Sequence, residues 1–112
     1  MDDLTTLLAR RVMGWEVAPD RFLLGKRRWL PRWRFQPAER LEDAFRLLER
    51  ATPQQYTVGR KGQGPFWVQV RIGRATGQAR DRSMPRAITL AVASALQIQV
   101  HDLKRDLRSV DD

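Results

Sequence analysis

The stretch FWVQVRIGRATGQA, residues 66 to 79, alternates apolar or small side chains with polar ones almost without a break. A chain with that period can bury one side only if it is extended, so no other stretch constrains the fold as much. Phe66, Val68, Val70 and Ile72 are predicted to face a core, with Trp67, Gln69 and Arg71 pointing away from it. Upstream, QQYTVGRK supplies a partner strand across a Gly-Gln-Gly turn. Downstream, RATGQARD repeats small residues at Ala75, Gly77 and Ala79, which predicts a third strand close beneath a helix.

Helical patterns flank these strands. Asp2 and Asp3 can cap a helix over residues 3 to 14 whose apolar side is Leu4, Leu7, Leu8 and Val12, reaching to Trp15, with Gly14 as its stop. Arg10 and Arg11 suit the negative pole at its end. Pro37 opens PAERLEDAFRLLERA, with Leu41, Ala44, Phe45, Leu48 and Ala51 on the predicted buried side. Glu39, Glu42, Asp43, Arg46, Glu49 and Arg50 fall on its polar side, and Pro53 blocks continuation. Ser83 caps and Pro85 starts a last helix burying Ile88, Ala91, Val92, Ala95 and Leu96. Residues 17 to 37, broken by Pro19, Gly25 and Pro31, are expected to form a loop with short extended pieces, partly laid over the core. The resulting order, α-loop-α-β-β-β-α, is an α+β fold with helices packed on a small antiparallel sheet.

Residues 1 to 98 are expected to form one domain, and 99 to 112 a helical extension or tail. There Leu96, Val100, Leu103, Leu107 and Val110 step by four and three, so the tail either extends the last helix over its own domain or docks against a partner, as the seam of a homo-oligomer through a C-terminal helix would.

Several chemistries are disfavoured at the outset. The sequence contains no cysteine, which excludes disulfides, thiolate zinc and a thiol nucleophile. No apolar run approaches the roughly 18 residues of a membrane span, and the start is acidic where a secretory leader would be basic. A cytoplasmic protein without a membrane partner is expected. The sole histidine, His101, has no metal-ligand or nucleophile pattern around it, so neither enzymatic activity nor a cofactor is expected. GRKGQGP lacks the Lys-Ser/Thr and following helix of a phosphate loop and reads as a hairpin turn.

The net charge of +8 favours polyanionic partners. Basic residues concentrate in residues 21 to 34 and 60 to 86. Arginine grips phosphate with paired donors, and an accessible tryptophan stacks on a base. Lys26, Arg27, Arg28, Trp29, Arg32 and Arg34, joined by Trp67 and Arg71, are therefore candidate contacts to a nucleic acid or nucleotide. Trp29 and Trp33 have two readings, as core or as stacking platform. Trp33 and Phe35 are expected to anchor the loop, leaving Lys26, Arg27, Arg28 and Arg32 facing solvent and ligand. The alternative is a protein-interaction module or inhibitor of a host protein, since Trp and Arg also anchor protein interfaces.

Taken in order, LLARRVMGW, FQPAERLEDAFRLLE, FWVQVRIGRATGQA and MPRAITLAVASAL resemble the phage ABA sandwich domain family over residues 4 to about 97. The resemblance implies an α+β fold and a phage or prophage accessory protein, and offers no established catalytic residues to carry over. The chain departs from the family pattern in the basic segment from Arg27 to Arg34 and after Ile98.

Overall fold

The computed structural model describes residues 3–98. Its elements are α1 (Asp3–Arg11), β1 (Glu16–Val17), β2 (Arg21–Gly25), β3 (Arg28–Pro31), a 3-10 turn (Arg32–Arg34), α2 (Leu41–Arg50), β4 (Gln55–Arg60), β5 (Phe66–Ile72), β6 (Ala75–Asp81) and α3 (Met84–Ala95). The strands form two separate antiparallel sheets of three, each a simple meander. The α+β class and the order of elements agree with the sequence, except that the expected loop folds into a sheet of its own. Tail residues 99–112, with His101 and most of the seam, and the capping side chains of Asp2 and Asp3 lie outside what is described.

The second sheet follows its alternation. Val68 and Val70 are buried, Phe66 and Ile72 half-buried, and Trp67, Gln69 and Arg71 exposed. Against its inner side lies α3, in contact with β5, β6 and α2. Ala87, Ile88, Thr89, Ala91, Val92, Ala93 and Ala95 are all buried, so α3 is enclosed nearly all round. Its alanines bring the backbones close: a methyl placed on Gly77 would fall onto the Ala91 carbonyl oxygen and the Ala95 nitrogen. As expected, Ser83 caps α3, its hydroxyl accepting from the Arg86 N–H at 3.4 Å.

The first helix stops earlier than predicted, at Arg11, and is closed by Gly14 at φ 73°. The Trp15 N–H reaches back to the Ala9 carbonyl at 3.0 Å, satisfying an orphan acceptor of the last turn. That reversal throws Trp15 inward, onto Phe22 (5.6 Å between centroids) and Phe35 (5.0 Å). Phe22 and Phe35 also meet edge-to-face at 5.8 Å. This triad joins the first sheet to the common core.

Three expectations about α2 are corrected. The helix begins at Leu41 rather than Pro37, and Leu41 is exposed. Asp43, placed on the polar side by its charge, is only 3 % exposed. Its carboxylate accepts the Gln36 N–H at 2.9 Å and sits 3.9 Å from Arg46, which compensates the burial. The buried side is Asp43, Ala44, Leu47 and Leu48, rotated from the predicted one to serve that backbone contact.

Candidate polyanion-binding surfaces

In the first sheet, Gly25 pairs with Arg28, leaving Lys26 and Arg27 as a two-residue turn. Arg27 adopts φ 61°, a left-handed conformation that favours glycine. Lys26, Arg27 and Arg28 are all exposed. Trp29 is 54 % exposed and pairs across the sheet with the exposed Leu23. The Arg21 guanidinium lies 4.8 Å above the Trp29 ring. Arg21 also donates from Nε and Nη2 to Asp20, at 3.1 and 2.9 Å. That paired hydrogen bond holds the Asp20 carboxyl below its ordinary value and pushes Arg21 above its own. Arg21 is therefore partly spent, and the free charge of this sheet sits at the turn.

Arg32 and Trp33 depart from expectation. Arg32 is half-buried, its Nη1 donating to the Ala18 carbonyl at 3.1 Å and its Nη2 to Thr6 Oγ1 at 2.6 Å. Its guanidinium stacks 5.2 Å from Phe22, so it fastens the chain after β3 to α1 instead of projecting into solvent. Trp33, expected as an anchor, is 63 % exposed, with Arg34 lying 5.6 Å from its ring. Of the two expected aromatic anchors only Phe35 is buried, packed against Trp15.

The outer side of the second sheet presents nine positions in three cross-strand rows. These are Gly59–Trp67–Arg80, Thr57–Gln69–Gln78 and Gln55–Arg71–Thr76. All are exposed except the half-buried Gly59, and none is a carboxylate. Gly59 is explained by Trp67: a side chain there would collide with the indole, which lies across the bare backbone of the edge strand. One side of the ring is thus supported, and the residue stays 39 % exposed. Along β5, Trp67 and Arg71 share this side about 13 Å apart at the ordinary rise of a strand. Shallow grooves of about 370 Å³ beside Trp67 and Arg80, and about 280 Å³ beside Arg71 and Arg74, both border Gln69.

The candidate residues thus divide. Trp67 and Arg71 come together on the second sheet, Lys26, Arg27, Arg28 and Trp29 on the first, and no groove described above is lined by both groups. Among the described residues only Arg21 and Arg46 make ion pairs, leaving Arg71, Arg74 and Arg80 without a counter-charge. Arg80, with Gln55, Thr57, Thr76 and Gln78, was not singled out from the sequence as part of this surface. The signal was available: pairing the alternation of QYTVGR and ATGQARD with that of FWVQVRI places them all on one side. Among the described residues no cluster of three or more His, Cys, Asp or Glu could hold a metal, and no helix is long and apolar enough to cross a membrane.

No curated protein sequence matches the chain. The fold is shared with the crystal structure of a phage protein from Bacillus cereus ATCC 14579, with a TM-score of 0.71 at 20 % identity. That likeness covers 88 % of this chain and 90 % of the other. Residues 6–93, which run from α1 through both sheets into α3, match the family model, and the chain belongs to the phage ABA sandwich domain family.

Proposed function

We propose that the protein is a non-enzymatic phage or prophage accessory protein that binds single-stranded nucleic acid across the outer side of β4, β5 and β6, in the host cytoplasm. The observation that carries this reading is the nine-position surface without a carboxylate, on which Trp67 is backed by Gly59 and paired with Arg80, with Arg71 two rows away on the same side. A sheet side that merely faces water normally mixes both signs of charge, because opposite charges across strands stabilise it. Here arginine supplies phosphate contacts, the indole a sequence-tolerant stacking surface, and glutamine and threonine groups that can donate to or accept from base edges. The basic turn Lys26-Arg27-Arg28 adds electrostatic attraction from the first sheet.

Fluorescence anisotropy of a labelled oligothymidine, titrated with protein over a range of salt, tests this. Binding is expected to weaken with salt with a log–log slope of about −0.7 per phosphate contact, near −2 if Arg71, Arg74 and Arg80 each make one. Arg71→Glu with Arg80→Glu should abolish binding at low salt and leave the melting temperature nearly unchanged, since neither arginine has a counter-charge to lose. A wild-type protein without affinity at low salt, or a double variant that binds as well, would refute the reading. A second reading, docking to a host protein, is favoured by the exposed Leu23–Trp29 pair under Arg21, which has the make-up of an interface anchor. Binding that persists at high salt and is lost with Trp29→Ala would select it.

A further inference from the structure

A cleft of about 270 Å³ lies between α1 at Thr5, the first sheet at Phe22, the segment from Arg32 to Glu39 and the start of α3. The sheet surface above does not account for it, and of its lining only Arg32 and Trp33 stood among the residues the sequence suggested for a nucleotide. Buried Phe22 and Phe35 and exposed Trp33 give it aromatic walls, and Arg32, Arg86, Gln36 and Glu39 give it polar groups. Arg32 is already immobilised by the Ala18 carbonyl and Thr6, so presenting its remaining donors costs little ordering. Arg86 is exposed, in the first turn of α3, which itself holds no acidic residue, although the Asp81 carboxylate accepts the Ser83 N–H just ahead of it at 2.8 Å.

We infer that this cleft binds a heterocyclic amine bearing a single phosphate monoester, the chemistry of a nucleoside monophosphate. Two arginines select an anion, yet Glu39 stands among them and disfavours a bare polyphosphate. A ligand with phosphate at one end and N–H donors at the other satisfies both signs: phosphate to Arg86 and Arg32, the amine edge to Glu39 and Gln36, the ring against Trp33. The inference does not rest on nucleic-acid binding by the second sheet, which lines different grooves. The same chemistry occurs free or at the phosphorylated end of a strand.

Titration calorimetry at constant ionic strength, with AMP, adenosine, inorganic phosphate and a 5′-phosphorylated oligonucleotide, distinguishes these cases. AMP is expected to bind at least about tenfold more tightly than adenosine or phosphate, since only AMP makes both the stacking and the charged contacts. Arg86→Gln and Trp33→Ala should each weaken AMP by about tenfold, with unchanged melting temperatures, and Arg71→Gln should have no effect on it. Arg32 is avoided because its loss would disturb the fold. An oligonucleotide that binds more tightly than AMP and shows the same sensitivity to Arg86→Gln identifies a strand end as the source. AMP binding no tighter than either of its parts, or indifferent to Arg86→Gln and Trp33→Ala, overturns the assignment.

Discussion

Replacing Arg27 by glycine separates what this residue does for folding from what it does for binding. At φ 61° its side chain is held in a conformation that costs an L-residue about 1–2 kcal/mol. Glycine would remove that cost but lose about 0.5–1 kcal/mol through the greater freedom of its unfolded chain. The net expectation is a gain of up to about 1.5 kcal/mol, centred on about 0.75, or roughly 3–6 °C in melting temperature at that centre for a domain of this size. Arg28, the next residue, lies in β3 and is not among the residues with positive φ, so Arg28→Gly should instead destabilise by about 0.5–1 kcal/mol. Both variants remove one exposed positive charge from the same turn. Scanning calorimetry should therefore give shifts of opposite sign, whereas oligothymidine anisotropy should give similar losses, each reducing the salt slope by about 0.7 if that charge meets a phosphate. An Arg27→Gly protein that melts at or below the wild-type temperature refutes the strain argument, and unchanged salt slopes in both variants refute contact between turn and strand.

Other outcomes follow from the packing. Phe35→Ala should cost about 3–5 kcal/mol in urea denaturation and Trp33→Ala within about 0.5, a contrast that equal losses would contradict. Gly77→Ala should cost about 1–3 kcal/mol because its methyl displaces α3, whereas Gly25→Ala, with open space around it, should not overpack anything; equal denaturation midpoints would rule out the close approach. The Thr89 hydroxyl is buried without a hydrogen-bond partner among the described residues, so Thr89→Val should leave stability unchanged or raise it by about 1 kcal/mol, and a clear loss in the same denaturation series would reveal a bond to that oxygen.

The second sheet was legible in the sequence because β5 and β6 are each seven residues long, enough for period two to declare which side is buried. The first was not. Its strands have two, five and four residues, too few to count an alternation, and Pro31, which ends β3, reads as a breaker when it is the last residue of an edge strand. Asp43 misled for a different reason: its place is set by the Gln36 N–H seven residues earlier, an interaction that helical periodicity cannot express. Trp15 fills the aromatic space beside Phe35, turned inward by a left-handed turn at Gly14, far away in the chain, and Trp33 stays exposed. The basic stretches were visible as charge, but charge does not say which guanidinium is occupied.

That last distinction governs how any binding experiment on this protein must be designed. Four arginines serve backbone carbonyls or neighbouring side chains at chain corners: Arg11 to Leu96, Arg32 to Ala18 and Thr6, Arg60 to Gly64 and Gln63, and Arg21 to Asp20. Each of the first three satisfies a carbonyl left without a strand or helix partner, so reversing its charge would place a carboxylate against that oxygen and disturb the corner it holds. Loss of binding in such a variant would report unfolding as readily as recognition. Arg71, Arg74 and Arg80, with Lys26, Arg27 and Arg28, have no such duty among the described contacts, and their charge is available to a ligand at little cost to the fold. A comparison of the two sets at equal change in net charge therefore isolates the ligand's contribution: if the polyanion reading holds, affinity is lost without stability only when the free set is reversed, because long-range attraction depends on net charge but a bound phosphate requires an unspent donor.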